Sequence, residues 1–168
     1  MKISVINIEK SERSLIMEII DFLNLNTFNK SIQEEAEAGA QMLDITEFRT
    51  IYNYMRRYIN TYNSYACEMM ISIDIDLMYI SQEERESIIK GVGELIRTSL
   101  RKSDVMTPVS NSFVLLLPDL TEQDKITVIN RIKDRIFETE LYNIVTMRVD
   151  TQVITPEVNF ETWIRMAV

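Results

Sequence analysis

The chain has no histidine, one cysteine, three glycines and three prolines in 168 residues. Each scarcity closes off a class of protein. Without histidine the commonest general base is missing, and any catalysis falls to carboxylates. With no histidine and Cys67 alone, the sequence argues against a zinc site and allows no intrachain disulfide. The few glycines and prolines argue against low-complexity linkers and for long regular elements. No apolar run reaches the ~18 residues of a membrane span. No signal-peptide pattern opens the chain, since Glu9 and Lys10 interrupt the short apolar stretch after Met1-Lys2. A cytoplasmic protein is the expectation. The formal net charge of −8 argues against nucleic acid or an anionic membrane as partner.

What the sequence does contain is regular patterning. Residues 3–8 read as a short strand, and Leu15, Ile16, Ile19, Ile20 and Leu23 recur at helical spacing after Ser11. Residues 31–42 are Ala/Glu-rich and read as a helical connector. Phe48, Ile51, Tyr52, Met55, Tyr58, Ile59 and Tyr62 fall on one helical face, with Asp44 or Thr46 as cap. That spacing assigns three of the five tyrosines 52, 54, 58, 62 and 65 to the core. Residues 67–75 alternate as a strand. A helix over about 82–101 buries Ile88, Ile89, Val92, Leu95, Ile96 and Ser99. Residues 104–109 and 112–117 form a hairpin around Asn111, a residue that tolerates positive φ. A helix over about 121–138 buries Ile126, Ile129, Ile132 and Ile136, and a strand covers 144–154. Phe160, Trp163 and Ile164 mark a last helix. From residue 46 the order α-β-α-β-β-α-β-α favours an antiparallel or mixed sheet with helices on one face.

Four fragments carry a family resemblance. They are Ile71-Ser72-Ile73-Asp74-Ile75-Asp76, Leu100-Arg101-Lys102-Ser103-Asp104-Val105, Phe113–Pro118 and Val145-Thr146-Met147-Arg148-Val149. In this order and at this spacing they resemble the GGDEF domain of bacterial diguanylate cyclases. The resemblance implies an α+β, nucleotidyl-cyclase or ferredoxin-like fold, its mixed or antiparallel sheet flanked by helices. The resemblance places that domain over 44–168 and implies a truncation at its C-terminus, since the family's Lys/Arg phosphate contacts would follow Val168. Residues 1–43 form an N-terminal strand–helix extension and connector. Its first part resembles the opening of a receiver domain, with Asn7 and Ile8 where paired acidic residues would bind Mg²⁺.

The resemblance also shows what is missing. The signature Gly-Gly-Asp/Glu-Glu-Phe falls on Val109-Ser110-Asn111-Ser112-Phe113, and only the phenylalanine is shared. The family holds GTP through two divalent cations, and those need carboxylate oxygens. Asp74 aligns with one ligand, but Asn111 and Ser112 supply no charge. Val109 and Ser110 carry Cβ atoms where glycines let backbone approach phosphate. The base-reading loop after Asp76 is replaced by Met78–Glu84 and is shorter than the family's. The expectation is therefore a catalytically inactive domain with no metal and no cofactor, Mg²⁺ entering only with residual GTP binding. The family's inhibitory Arg-x-x-Asp motif is matched by Arg101 and Asp104, which implies cyclic di-GMP as a ligand; a helix-end arginine and a turn aspartate account for the same pair structurally. Two alternatives stand beside this reading. One is residual diguanylate cyclase activity or GTP binding through Asp74. The other is a homodimerising scaffold, or a protein-binding one, using the N-terminal helix and helix 46–62.

Overall fold

The computed structural model of the protein describes Met17, residues 38–157 and residues 159–167. The strand expected at 3–8, the helix beginning at Ser11 and most of the 31–42 connector lie outside the described residues. Three helices begin with the same device. Asp44, Ser81 and Thr121 each accept a hydrogen bond from the backbone three residues on, and Glu47, Glu84 and Asp124 return one. Such reciprocal caps satisfy amide donors that a helix start otherwise leaves unpaired. They open α1 (Ile45–Tyr62), α2 (Gln82–Thr98) and α3 (Glu122–Phe137), and α4 is Phe160–Ala167. The strands are β1 (Gln41–Met42), β2 (Ala66–Ile75), β3 (Val105–Val109), β4 (Ser112–Pro118) and β5 (Val145–Val153).

The five strands form one mixed sheet in the order β1-β3-β4-β2-β5, in which only the β1–β3 pair is parallel. From α1 onward the element order is the expected one, with a 3-10 turn at Glu140–Asn143 before β5. The expectation of helices on one face is corrected: both faces are covered. Cys67, Met69, Ile71 and Ile73 of β2 pack toward α2 and α3, while Ala66 and Met70 pack toward α1 and α4. This follows from strand alternation in a central strand that is buried on both sides.

Several local readings are also corrected. The end of the connector is the strand β1, not helix, because Gln41 and Leu43 donate to Asp104 O and Met106 O at 3.1 and 2.8 Å. On α1 the buried line is Phe48, Tyr52 and Ile59, so Tyr52 is the one tyrosine of the five in the core. Tyr58 and Tyr62 lie to the side of that line and stack on each other with ring centroids 4.7 Å apart. On α3 the buried residue is Val128 rather than Ile126, which is exposed.

Glu68 lies on the central strand, fully buried among apolar neighbours. Its Oε2 accepts from Tyr52 Oη at 3.2 Å and from Gln152 Nε2 at 2.8 Å, while Oε1 has no partner. Burial pushes its carboxyl up to about 7 from an ordinary 4.5, against the opposing pull of the two donors. A carboxyl raised in the folded state favours folding below its unfolded pKa. That contribution fades as pH rises from about 4.5 to about 7, because the folded chain still holds a proton the unfolded chain has released. We expect urea denaturation at pH 5 and pH 8 to show wild-type stability falling with pH by roughly 1–3 kcal/mol more than that of Glu68→Gln. Identical slopes for the two proteins would contradict the assignment.

Candidate functional site

The hairpin joining β3 to β4 turns through two residues, Ser110 and Asn111, between the paired Val109 and Ser112. The left-handed residue is Ser110, with φ 54°, and not Asn111. The reason lies in the sheet: the Asn111 carbonyl accepts from Ile73 N–H at 2.9 Å, continuing the β2–β4 ladder into the turn. Ser112 Oγ donates to Ser72 Oγ at 3.1 Å between buried side chains. The turn is therefore bound to the central strand along its length.

Phe113 follows, 3% exposed. Its ring lies against Gly93 of α2, where an added Cβ would come within 2.6 Å of the ring. A mid-helix glycine costs about 1 kcal/mol relative to alanine, and here it makes room for this aromatic. Phe113 is thus a packing residue. Gly93 was not singled out in the sequence, although an isolated glycine in a helical pattern is a signal of close packing.

Between α2 and the hairpin runs a groove of about 530 Å³. Arg85, Lys90, Glu86 and Glu94 contribute its charges, and Ile89, Phe113, Pro108 and Met42 its apolar surface. Two basic and two acidic side chains leave little net attraction for a triphosphate, and Glu86 already accepts from Gln82 Nε2 at 2.8 Å. Pro108 pairs with Phe113 on β4, and lies past the short stretch where β1 pairs with β3, so its missing N–H interrupts no ladder there.

Asp74 and Asp76 are exposed at the end of β2, with Asp74 opposite Thr146 of β5. Among the described residues no group of three or more His, Cys, Asp and Glu could hold a metal ion. The donor set beside the hairpin thus does not fit a two-cation triphosphate site: Asn111 and Ser112 are neutral, and Ser112 is engaged with Ser72.

Arg101 and Asp104 lie beyond the C-terminal end of α2, and the basic residue of the helix's last turn is Arg97 instead. Asp104 is 3% exposed. Its Oδ2 accepts from Arg101 N–H at 2.8 Å, and its own N–H donates to Arg101 O at 3.1 Å, closing the turn. Burial raises the Asp104 carboxyl above its ordinary range, opposed by the Arg101 amide and by the charges of Arg101 and Arg131. The Arg101 side chain is exposed. Arg131, exposed on α3, is a neighbour that sequence reasoning missed; nothing in its spacing marks it, since the two segments meet only in the fold.

This arrangement of sheet, hairpin and helices is shared with solved structures. A DGC protein from Thermotoga maritima aligns with a TM-score of 0.59 at 16% identity, over 77% of this chain and 97% of that one. The fold is that of a GGDEF diguanylate cyclase domain. The diguanylate cyclase SiaD from Pseudomonas aeruginosa, in complex with its activator SiaC, aligns with a TM-score of 0.63 at 14% identity, over 99% of this chain and 69% of that one. The coiled coil and GGDEF domain of DgcB from Caulobacter crescentus, in complex with c-di-GMP, aligns with a TM-score of 0.60 at 11% identity, over 93% and 89%. No protein-family model and no curated protein matches the sequence. Among the described residues of this GGDEF-like chain, no helix is long and apolar enough to cross a membrane.

The Phe113–Gly93 contact makes a direct prediction. Gly93→Ala should destabilise the protein by about 1–3 kcal/mol through overpacking, despite the better helix propensity of alanine. Combining it with Phe113→Leu should cost less than the sum of the two single changes in chemical denaturation. Strict additivity would mean that the ring and the helix backbone do not meet.

Proposed function

We propose that the protein is a non-catalytic GGDEF-like module that acts by binding. The observation that carries this reading is the chemistry of the hairpin. Its turn offers Ser110, Asn111 and Ser112 where cation-bound triphosphate chemistry needs carboxylates, and its backbone is committed to β2. Asp74 alone cannot offset the charge of a metal–triphosphate cluster. The groove beside the hairpin carries balanced charge. Among the described residues no carboxylate cluster could hold the cations that nucleotidyl transfer uses.

Within that reading the ligand we favour is cyclic di-GMP, held at the Arg101–Asp104 turn. Asp104 is buried and acts as a positioning residue, locking the turn through the Arg101 amide. The Arg101 guanidinium is left exposed, and Arg131 acts on the same carboxylate from α3. The exposed Arg101 guanidinium, with a second exposed one on α3 whose charge is felt at Asp104, suits a phosphate and a guanine edge, each of which takes paired N–H donors.

Two measurements test these levels separately. Incubation with GTP and Mg²⁺ or Mn²⁺ should yield no cyclic dinucleotide by chromatography. Product that disappears with Asp74→Asn would overturn the non-catalytic reading and establish the residual cyclase. Calorimetric titration with cyclic di-GMP should give binding that weakens by about tenfold or more in Arg101→Ala and in Arg131→Ala, as loss of a charge-assisted contact implies. No heat with the native protein removes the receptor reading and leaves the module as a protein-binding one.

A further inference from the structure

β5 is the last strand of the sheet, and among the described residues its nine positions pair with β2 alone. Among the described residues, its other edge therefore carries backbone donors and acceptors with no strand beside them. Such an edge is a template for a further strand unless its side chains prevent it. Over Val145–Asp150 the side chains alternate in burial. Val145, Met147 and Val149 lie on the face that packs toward α2 and α3, and Thr146, Arg148, Asp150 and Gln152 lie on the other. Val153, on the same face as Val149, is 48% exposed.

We propose that this edge is a self-complementary interface, and that two copies of the chain pair β5 to β5, antiparallel, about a twofold axis at Val149. Val149 is the midpoint of Val145–Val153, so this register overlaps the strand over its full length. It sets Arg148 opposite Asp150 of the second copy, and Asp150 opposite Arg148. Within one copy the two side chains lie 3.5 Å apart and are 66% and 50% exposed, so pairing across the edge exchanges this exposed contact for two between copies. On the opposite face the same register sets Val145 against the exposed Val153 of the second copy. A groove of about 330 Å³ lies at that end of β5, lined by Ile136, Phe137, Tyr142, Val145 and Met147. Phe137 and Tyr142 stack there with centroids 4.7 Å apart and are 65% and 52% exposed. The second copy's Val153 arrives beside these rings.

Charge and apolar surface thus agree on one register. Cross-strand pairs of opposite charge stabilise antiparallel strands, and like charges directly opposite destabilise them. A slip by one residue would turn the apolar set to the wrong face. Charged residues usually guard an edge against pairing; these two repel most strands but match a second copy of their own. The surface is separate from the N-terminal helix and helix 46–62, where the sequence placed self-association.

Charge reversal supplies the test. Multi-angle light scattering over a concentration series should show the native chain dimerising. Arg148→Glu places two acidic residues on each edge, and Asp150→Arg places two basic ones. Each variant alone should weaken the dimer by about tenfold or more, with an unchanged far-ultraviolet spectrum. An equimolar mixture of the two should recover it, because Glu at 148 then faces Arg at 150. A native chain that stays monomeric at the highest concentration reached would overturn the proposal. So would a dimer that persists in both variants, since it must use another face such as the exposed Tyr54, Tyr58 and Tyr62 on α1.

Discussion

The ladder between β2 and β4 is the constraint on which the rest of this molecule depends. It runs from Ala66 opposite Pro118 to Ser72 opposite Ser112, and the Ile73 amide extends it to the Asn111 carbonyl. β2 is also paired with β5 over nine residues, so the central strand is fixed from both sides. Everything placed near the candidate site inherits its position from this strand. The hairpin is held to it by backbone bonds that do not depend on what the turn residues are. Phe113 is then directed to α2, where Gly93 receives its ring. A hairpin anchored in this way keeps its shape when its charged side chains are exchanged for neutral ones.

The same strand carries a buried carboxyl of the fold's core. Glu68 sits near its start, facing Tyr52 of α1 and Gln152 of β5, with one carboxylate oxygen unpartnered among the described residues. A buried polar group of this kind costs stability unless it is neutral or fully bonded. It also ties α1 to β5 through one side chain, coupling the helical layer on that face to the sheet edge. At the other side of the sheet, Arg97 performs a comparable task. Its guanidinium reaches Ala38 O and Glu94, each at 2.9 Å, and its carbonyl accepts from Ala40, so the segment leading into β1 is held to the end of α2.

Much of this fold was legible in the sequence, for physical reasons that differ by element. The strands declared themselves as short apolar runs, and the helices as periodic stripes, with Thr121 before Asp124 marking one start. The hairpin was readable because a short polar turn separates two apolar runs. Other features were not legible. β1 has two residues and is made by backbone bonds to β3, so no side-chain pattern encodes it. Tyr58 and Tyr62 share a helical periodicity with Tyr52, but the buried line is set by where the sheet meets the helix. The electrostatic surroundings of Asp104 were partly hidden as well: Arg101 is three residues away in sequence, whereas the charge of Arg131 acts on it only because α3 packs against α2.

The central claim is that the hairpin is retained as a part of the sheet and not as a nucleotide site. The amide of Ile73 reports on both halves of that claim, because its one acceptor is the turn carbonyl of Asn111. Native-state hydrogen exchange at this amide, followed with and without GTP and Mg²⁺, measures it directly. The account predicts exchange as slow as that of the β2 core amides and unchanged by the nucleotide. Fast, loop-like exchange that becomes protected when GTP and Mg²⁺ are added would contradict it.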